Sequence, residues 1–413
     1  MLKLLKNANQ IITVNTNGSN VKRGLEMNDI GISDFRNIIT NNGLIVDITN
    51  NIKQDSCYDE VIDLSNKIVL PGIVDCHTHT VFAGNRSEEF KLKIAGISYE
   101  EIAEKGGGIS NTVTSLREMS FDDLYHLAAS RIDYFISRGV TALEIKSGYG
   151  LSFYDEIKIL QVIKALKNNY KIDIVPTFLG AHTIPREFKN DRDKYIEIII
   201  NQMLPYIKEN SLATFCDVFC EATAFSSAET DKIFTAASKS GLKIKLHSDQ
   251  FNNIGGIDVA LKHNAVSVDH LEVIKEDDIE KISKSDTVCV LLPGVSFFLN
   301  YDFANAKALQ EKNAIIAIST DFNPGSSHIH DINLIMSIAA IKMRMNIESI
   351  ISAVTINAAK AIGLERFIGS IEIGKQADFS IFDAKDYSDI VYNVGKNLNI
   401  MTVKKGVIIY KNN

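Results

Sequence analysis

The sequence predicts an α/β fold, namely a (β/α)8 TIM barrel with a small β-sandwich domain formed by both chain termini. Between residues 68 and 318, eight short β-branched runs alternate with longer amphipathic stretches, which is the pattern of βαβ units around a parallel sheet. Residues 1–66 and 363–413 instead carry short strand-like pieces between Asn, Gly and Ser turns. Because each end is too short for a core of its own, we expect the two ends to pair, while residues 67–362 form the barrel.

The bulk composition excludes several classes of partner. The 413 residues are 45% hydrophobic and carry a formal net charge of −7, which argues against nucleic acid or an anionic membrane as the main partner. The five cysteines are scattered without a Cys-x-x-Cys spacing, as in proteins kept reduced. The amino terminus MLKLLKNANQ lacks the apolar core of a signal peptide, and no run approaches a membrane span. We therefore expect a cytoplasmic protein.

The elements of the barrel can be placed from local signals. The runs predicted as strands cover residues 68–74, 140–145, 172–178, 215–219, 242–246, 265–268, 287–292 and 315–318. Ser120 and Ser152 stand where helix N-caps are expected, Gly139 stands where the first of these helices would stop, and residues 348–362 are predicted as a later helix. An open doubly wound sheet is the alternative, but no Gly-x-Gly-x-x-Gly turn follows the first run.

Polar residues follow the predicted strands where each strand ends. Five of the nine histidines lie at such positions, and barrel enzymes build their active sites at the carboxyl ends of the strands. Strand alternation puts His77 and His79 on one face, where two imidazoles could bind zinc or iron, whereas Cys76 points away. A His-x-His pair also arises by chance, so the prediction depends on partners at the other strand ends, which are Lys146, Tyr149, His182, Glu221, His247, Asp269, His270 and Asp321.

These features together resemble the amidohydrolase superfamily of metal-dependent hydrolases over almost the whole chain. The resemblance is carried by PGIVDCHTH after the first run, by His247, His270 and Asp321, and by GSIEIGKQADF near the carboxyl end. Within the superfamily, the chain is similar to members that open the ring of 4-imidazolone-5-propanoate in histidine degradation. The motifs are HTHTVFAGNRSEEF (77–90), GGGI (106–109), EIKSGYGL (144–151), TFLGAH (177–182), HSDQ (247–250), VDHLE (268–272) and STDFNPGSS (319–327).

The resemblance implies one divalent zinc or iron ion per subunit, bound by His77, His79, His247 and Asp321. It implies that Asp321 is also the general base, and that His270 orients the water or polarises the carbonyl. A second metal would need a bridging group, usually a modified lysine after a middle strand, and neither the third nor the fourth run ends in lysine.

The resemblance also implies a small-molecule substrate, an anionic five-membered cyclic amide, and a homodimer. Arg86 would bind the propionate of the substrate, because its guanidinium fork matches a carboxylate. Tyr149 and His182 would line the pocket and hydrogen-bond the ring and its carbonyl, so His182 is also a predicted catalytic residue. The remaining substrate contacts implied by the resemblance are Gln250, Asn323, Gly325 and Ser326.

Several alternatives stay open at this point. Related deaminases place a glutamate at the position of Gln250, and a glutamine can hydrogen-bond a ring but cannot shuttle a proton. The rivals are therefore an amidohydrolase for another cyclic amide, a deaminase, and a barrel that serves as a non-catalytic scaffold. His328 and His330 follow a loop and are predicted to line it, and glycines 106–108 are predicted to form a mobile loop near the mouth.

Overall fold

The structure contains strands at both chain ends and in the barrel between them. The computed structural model describes residues 1–97 and 107–412. The described strands, in chain order, are β1 (Leu2–Lys6), β2 (Gln10–Ile11), β3 (Asn37–Asn41), β4 (Leu44–Thr49), β5 (Glu60–Asp63), β6 (Ile68–Pro71), β7 (Ile73–Asp75), β8 (Val140–Lys146), β9 (Asp173–Ala181), β10 (Phe215–Cys220), β11 (Lys243–Ser248), β12 (Ser267–His270), β13 (Val288–Leu291), β14 (Ile315–Ile318), β15 (Phe379–Phe382), β16 (Asn399–Lys404) and β17 (Val407–Lys411).

The barrel is a parallel sheet in which each strand from β7 to β14 pairs with the next along the chain. A parallel bridge between Thr78 and Phe322 joins the segments that follow the first and last strands. Two backbone hydrogen bonds support this closure, from His79 N to Phe322 O at 2.9 Å and from Asp321 N to His77 O at 3.1 Å. The predicted (β/α)8 fold is therefore confirmed, and its closure brings two histidines beside an aspartate.

Helices surround the barrel and bury a continuous apolar core against it. Ser120 and Ser152 accept hydrogen bonds from the backbone N–H groups of Asp123 and Asp155, so both predicted N-caps are present. The helix predicted over 348–362 is two shorter helices, interrupted at Thr355. The described α-helices span Ser87–Ile94, Ile109–Glu118, Phe121–Ser137, Phe153–Asn169, Arg192–Ile198, Leu204–Glu209, Ser227–Lys239, Gly256–Lys262, Glu276–Ser283, Pro293–Leu299, Ala306–Glu311, Ile332–Met343, Ile347–Ala353, Ile356–Ala361 and Ser388–Tyr392.

The chain termini form a small domain of two sheets that share one core. One sheet has the strand order β4-β3-β1-β5, and the other has the order β17-β16-β15-β6-β2, so the second sheet combines both ends of the chain. Apolar side chains from both sheets, among them Leu5, Ile38, Val69 and Phe379, pack in one cluster. This sandwich of the two ends agrees with the prediction from the sequence.

The predicted first barrel strand, residues 68–74, is divided between the two units. β6 pairs with β15 in the small domain, whereas β7 pairs with β8 in the barrel. Gly72 lies at the junction, and a Cβ on this residue would lie 2.2 Å from Thr141 Oγ1 on the neighbouring strand. The prediction of one continuous strand was wrong because this close backbone approach is a tertiary feature that hydrophobic periodicity does not reveal.

Two further features of the described residues concern their helices and their cysteines. Among them, no helix combines the length and apolar character needed to cross a membrane. The five cysteines are free thiols, and all except Cys57 are buried. Cys76 packs with Val74 and Ala142 in an apolar cluster, as its position in the strand alternation predicts.

Candidate metal centre and active site

Four side chains predicted as metal ligands lie together at the carboxyl ends of β7, β11 and β14. The ring centroids of His77 and His247 are 4.5 Å apart, and those of His77 and His79 are 5.4 Å apart. Nε2 of His77 and Nε2 of His79 lie 3.3 and 3.4 Å from Oδ1 of Asp321. All four side chains are buried. The structure thus brings together the complete predicted set.

Ring nitrogens and a carboxylate oxygen in this cluster have unused hydrogen-bonding capacity. In the described part of the chain, Nε2 of His77, Nε2 of His247 and Oδ1 of Asp321 are buried and make no hydrogen bond. Leaving a buried polar atom unpaired costs about 1–3 kcal/mol, so three together call for a ligand. Three imidazoles and a carboxylate are a donor set suited to zinc or ferrous iron. The residues present therefore fit a divalent metal ion.

Two buried carboxylates fix the orientation of two of these histidines. Nδ1 of His77 donates to Oδ2 of Asp269 at 2.6 Å, and Nδ1 of His247 donates to Oδ1 of Asp217 at 3.0 Å. A proton on Nδ1 leaves the lone pair of Nε2 free in the neutral ring, and this is the form that binds a metal. Burial also holds the pKa of His247 well below its ordinary value. Both hydrogen bonds thus direct Nε2 of each ring at the same centre, although burial, which lowers the pKa of His77, is outweighed by contacts with Asp269 and Asp321, which raise this pKa.

Asp321 is ionised and occupies an unusual backbone conformation. Burial alone would raise the pKa of Asp321, but contact with His77 and His79 outweighs it and holds this pKa well below its usual range. Asp321 has a φ of +46°, and His270 has a φ of +88°. Non-glycine residues at positive φ cost about 1–3 kcal/mol, and such strain clusters at functional sites.

His270 lies beside two of the predicted ligands, His77 and His247. Its ring centroid is 5.3 Å from that of His247 and 5.9 Å from that of His77. Nδ1 of His270 is 3.5 Å from Oε1 of Glu272, the neighbouring carboxylate two residues along the chain. His270, His77 and Asp321 also form a second group whose ligand atoms lie within 4.8 Å of one another. The predicted water-orienting residue therefore faces the same centre as the predicted ligands.

His182 and Tyr149 form one wall beside His79. The rings of His182 and His79 are stacked, with centroids 5.3 Å apart, and Tyr149 lies 5.4 Å from His182. Nδ1 of His182 lies 3.0 Å from the carbonyl oxygen of Gly148. Since a carbonyl only accepts, Nδ1 carries the proton, and burial lowers the pKa of His182 to about 3. The neutral ring therefore offers Nε2 as a hydrogen-bond acceptor.

Arg86 lies against the loop that contains Gly325. A Cβ on Gly325 would lie 2.1 Å from Nη1 of Arg86, so only a glycine permits this approach. Nε of Arg86 donates to Oε2 of Glu89 at 2.8 Å, and Oε1 of Glu89 accepts the backbone N–H of Gly108 at 3.1 Å. Nζ of Lys93 donates to the carbonyl oxygen of Gly325 at 3.5 Å. Among the described residues, the guanidinium of Arg86 and the ammonium group of Lys93 thus both lie beside the loop of Gly325.

Asn323 and Gln250, two other predicted substrate contacts, lie just after barrel strands β14 and β11. Oδ1 of Asn323 accepts the backbone N–H groups of Gly325 and Ser326, each at 2.8 Å, and Nδ2 of Asn323 donates to Asp321 O at 2.7 Å. Asn323 therefore holds its own turn in shape, and it presents this turn to Arg86. Gln250 is buried just beyond the end of β11, which also carries His247.

Two further predictions concern residues away from the centre. His330 lies against Tyr134 and Phe322, with ring centroids 4.0 and 4.7 Å apart, and the ring of His328 is 5.3 Å from that of Phe322. Both histidines thus pack on aromatic side chains. Of the glycines 106–108, Gly106 lies outside the described residues.

Five buried charged residues lie beneath the histidines, and three of them, Glu144, Asp217 and Lys245, were not predicted as part of the site, whereas Lys146 and Asp269 were predicted only as strand-end residues. They lie on four barrel strands, β8, β10, β11 and β12, and each has no exposed surface. The sequence contains a signal for them. Glu144 and Lys146 stand at alternate positions of one largely apolar strand, and Lys245 and His247 do so on another. Alternate positions face the same side of a sheet. The five residues are Glu144, Lys146, Asp217, Lys245 and Asp269.

Comparison with known proteins defines the class to which this fold and site belong. Residues 68–409 match the model of the Amidohydrolase family. The match covers the barrel strands and extends into the small domain. The chain therefore belongs to the amidohydrolase family.

Curated relatives narrow the assignment. The imidazolonepropionase of Clostridium tetani is 42% identical over 412 residues, which cover 99% of this chain and 98% of the relative. The imidazolonepropionase of Thermoanaerobacter pseudethanolicus is 46% identical over 348 residues, which cover 84% of each chain. Within the amidohydrolases, the chain thus belongs to the imidazolonepropionases, and the resemblance seen in its motifs is confirmed.

Solved structures of other amidohydrolases share the fold. An adenosine deaminase from Xanthomonas campestris with bound zinc has a TM-score of 0.74 and 16% identity, over 99% of this chain and 93% of the other. An atrazine chlorohydrolase from Arthrobacter aurescens in complex with zinc has a TM-score of 0.73 and 13% identity, over 99% and 95%. At such low identity, the likeness concerns the architecture of barrel and small domain.

Proposed function

We propose that this chain hydrolyses the ring C–N bond of 4-imidazolone-5-propanoate to give N-formimidoyl-L-glutamate. The observation that carries the proposal is the buried cluster of His77, His79, His247 and Asp321, in which Nε2 of His77, Nε2 of His247 and Oδ1 of Asp321 make no hydrogen bond with the described residues. The names of the relatives at 42% and 46% identity support the choice of substrate.

These four residues would hold one divalent metal ion, and zinc and ferrous iron both suit three nitrogens and one oxygen. When bound, such an ion lowers the pKa of a water molecule and polarises a carbonyl group. Asp217 and Asp269 would keep two of the imidazoles in the ligating tautomer. Lys146 is engaged with carboxylates and is therefore a poor bridge for a second ion.

Asp321 would move the proton of the reaction. Its carboxylate is ionised at neutral pH, so it can accept a proton from the attacking water as the new C–O bond forms at the ring carbonyl. The same carboxylic acid then protonates the ring nitrogen when the C–N bond breaks, which returns Asp321 to its starting state. His270, whose ring lies beside that of His247, would orient the water or polarise the carbonyl.

The remaining residues would orient the substrate. Arg86 would bind its propionate, because its guanidinium lies beside Gly325 and its planar fork matches a carboxylate. Nε2 of His182 would accept a hydrogen bond from a ring N–H of the substrate, since Nδ1 is engaged by Gly148. Tyr149, Gln250, Asn323, Gly325 and Ser326 would complete the pocket.

Turnover of freshly prepared 4-imidazolone-5-propanoate by the zinc- or iron-loaded chain tests the proposal. We expect the ultraviolet absorbance of the ring to disappear while formiminoglutamate forms, and chelation to stop the reaction. Ring opening releases no ammonia, so an ammonia assay with a panel of purines and pyrimidines separates it from deamination. A metal-loaded chain without turnover on this substrate would contradict the proposal. Activity on another cyclic amide would then favour a different amidohydrolase, and no activity would favour a scaffold.

We also propose that the chain is a cytoplasmic homodimer. The resemblance to the family and the free thiols of the five cysteines support these two statements. Light scattering after size-exclusion chromatography would give about twice the 45.8 kDa chain mass for a dimer. A mass equal to that of one chain would contradict the dimer.

A further inference from the structure

A buried group of charges lies directly beneath the predicted metal ligands. Glu144 and Lys146 lie on β8, Asp217 lies on β10, Lys245 lies on β11 and Asp269 lies on β12. The side chains of all five have no exposed surface. Burying charges is expensive unless each is paired, so a group of this size in a barrel interior needs an explanation. We refer to these five residues as the charge layer.

Lys146 is the centre of the charge layer. Its Nζ donates to Asp217 Oδ2 at 2.7 Å and to Glu144 Oε1 at 3.1 Å, and it lies 3.4 Å from Asp269 Oδ2. An ammonium group has three N–H donors, so three carboxylates on three strands saturate it. Lys245 is placed less centrally, since it contacts Glu144 at 2.6 Å but lies 4.0 Å from Asp269.

Two of the carboxylates held by Lys146 are those that orient the predicted ligands. Asp269 Oδ2 is shared by Lys146 and Nδ1 of His77, which is 2.6 Å away. Asp217 accepts from Lys146 with Oδ2 and from Nδ1 of His247 with Oδ1 at 3.0 Å. Lys146 is thus connected to two imidazoles through two carboxylates, although it touches neither ring in a hydrogen bond.

We propose that Lys146 is a positioning residue for the metal centre, because it holds both ligand-orienting carboxylates in place at the same time. The inference rests on the proposed function, in which His77 and His247 bind the metal. Without the ammonium group, Asp217 and Asp269 lose their common partner. Lys245 is not a substitute for it, because Lys245 contacts Glu144 and lies 4.0 Å from Asp269. The two carboxylates then no longer fix the rings, and the Nε2 atoms lose their convergence.

A matched control lies at the opposite end of the barrel. Lys404 is also buried and also joins two carboxylates, since its Nζ contacts Asp378 Oδ2 at 2.6 Å and Asp173, the first residue of β9. Replacing this lysine removes a buried ion pair without touching the charge layer. The pair Lys146→Met and Lys404→Met therefore separates an effect on the metal centre from a general loss of stability.

The experiment is a zinc titration of the metal-free chain against a chromophoric chelator, with the unfolding midpoint of each metal-free variant measured alongside. We expect one Zn²⁺ per wild-type chain, and an affinity lowered about ten- to hundred-fold or more in Lys146→Met, as for outer-sphere partners of ligands. Lys404→Met should keep the wild-type affinity even where its unfolding midpoint falls as far. Equal affinities for wild type and Lys146→Met, or an equal loss in Lys404→Met, would overturn the inference.

Further variants cover the case in which Lys146→Met does not fold. Lys146→Gln retains a donor of reduced reach, and Asp217→Asn and Asp269→Asn change one carboxylate each. Because Lys146 acts through these carboxylates, each Asn substitution should lower zinc affinity less in the Lys146→Gln background than in wild type. If each Asn substitution lowered the zinc affinity by the same factor in the wild-type and Lys146→Gln backgrounds, the inference would be overturned. A wild-type chain that binds no zinc or iron would instead contradict the proposed metal site, and the inference with it.

Discussion

At the scale of single residues, the centre combines paired buried charges with one carboxylate oxygen that makes no hydrogen bond among the described residues. Glu144, Asp217, Asp269 and Asp321 are carboxylates with almost no exposed surface, and Lys146 and Lys245 are buried ammonium groups among them. Oδ1 of Asp321 makes no hydrogen bond within the described part of the chain and lies beside the rings of His77 and His79. A divalent ion among the histidines would pair with this carboxylate.

Replacing Asp321 by asparagine should abolish turnover while the fold persists. The amide has nearly the same shape but cannot accept the proton of the attacking water, so we expect kcat to fall by about 10²- to 10⁴-fold or more. Circular dichroism and zinc content should be measured beside kcat, since Asp321 is also a predicted ligand. Asp302→Asn, at an exposed position, is the control. An Asp321→Asn chain that retains wild-type kcat would refute the assignment of the general base.

Removal of the Arg86 side chain should weaken substrate binding more than it slows the chemistry. Arg86→Ala deletes a charged partner of the propionate, and one such bond contributes about 1.5–3 kcal/mol, so KM should rise about 10- to 100-fold with a smaller change in kcat. Arg186→Ala, an exposed arginine after β9, is the control. Equal KM values for Arg86→Ala and Arg186→Ala would contradict the assignment of Arg86 to the propionate.

At the scale of elements, the active-site loops are shaped by specific side chains rather than by length alone. Asn323 bonds the backbone of its own turn, and this turn then lies under the guanidinium of Arg86. Glu89 connects Arg86 to the backbone of Gly108, just before the helix Ile109–Glu118. The loops after β7 and β14 are therefore fixed to one another at the mouth of the barrel.

The substitution Gly325→Ala tests this loop contact. The added methyl group would overlap with Nη1 of Arg86, which is the far end of a flexible side chain, so the chain should fold while the guanidinium moves away. We expect a higher KM with a nearly unchanged unfolding midpoint. In an Arg86→Ala background the same substitution should have little further effect on KM. An equal rise in KM in both backgrounds would show that Gly325 acts independently of Arg86.

Much of the structure at the scale of elements was predictable from the sequence, because helix caps and strand ends are marked by residues close together in the chain. Ser120 and Ser152 cap their helices as expected, and the polar residues at the strand ends meet where the (β/α)8 pattern requires. The junction at Gly72 and the charge layer were not predictable in the same way. They depend on which side chains face one another across strands far apart in the chain, and a carboxylate such as Asp217 acquires its role only through His247 and Lys146.

At the scale of the whole molecule, the small domain is attached to the barrel at several points opposite the active site. Ser380 Oγ accepts the backbone N–H of Ile73 at 3.1 Å and donates to Gly139 O at 2.6 Å. Thr402 Oγ1 donates to Ile136 O at 2.7 Å, at the end of the helix that precedes β8. These contacts hold the base of the first two barrel strands, and so they support the strands that carry His77 and Lys146.

Metal removal should destabilise the molecule as a whole. An ion that binds only the folded chain adds about 2.7 kcal/mol of stability when its free concentration is 100 times Kd. We therefore expect a chelator to lower the thermal unfolding midpoint, and added Zn²⁺ to restore it. The shift should be smaller in Asp321→Asn, which lacks one predicted ligand charge. Identical midpoints with and without chelator in the wild-type chain would argue against a metal centre that couples to folding.

The division of residues 68–75 between two sheets has a consequence for how the chain is made. β6 leaves the ribosome early, yet its partner β15 is among the last strands to be synthesised, and Lys67 and Asp383, which form an ion pair across the same contact, are 316 residues apart. The second sheet of the small domain therefore completes only after translation has passed the entire barrel. Until then the edge of β6 that pairs with β15 is uncovered. Chaperone protection would therefore matter most for a nascent chain that has not yet reached β15.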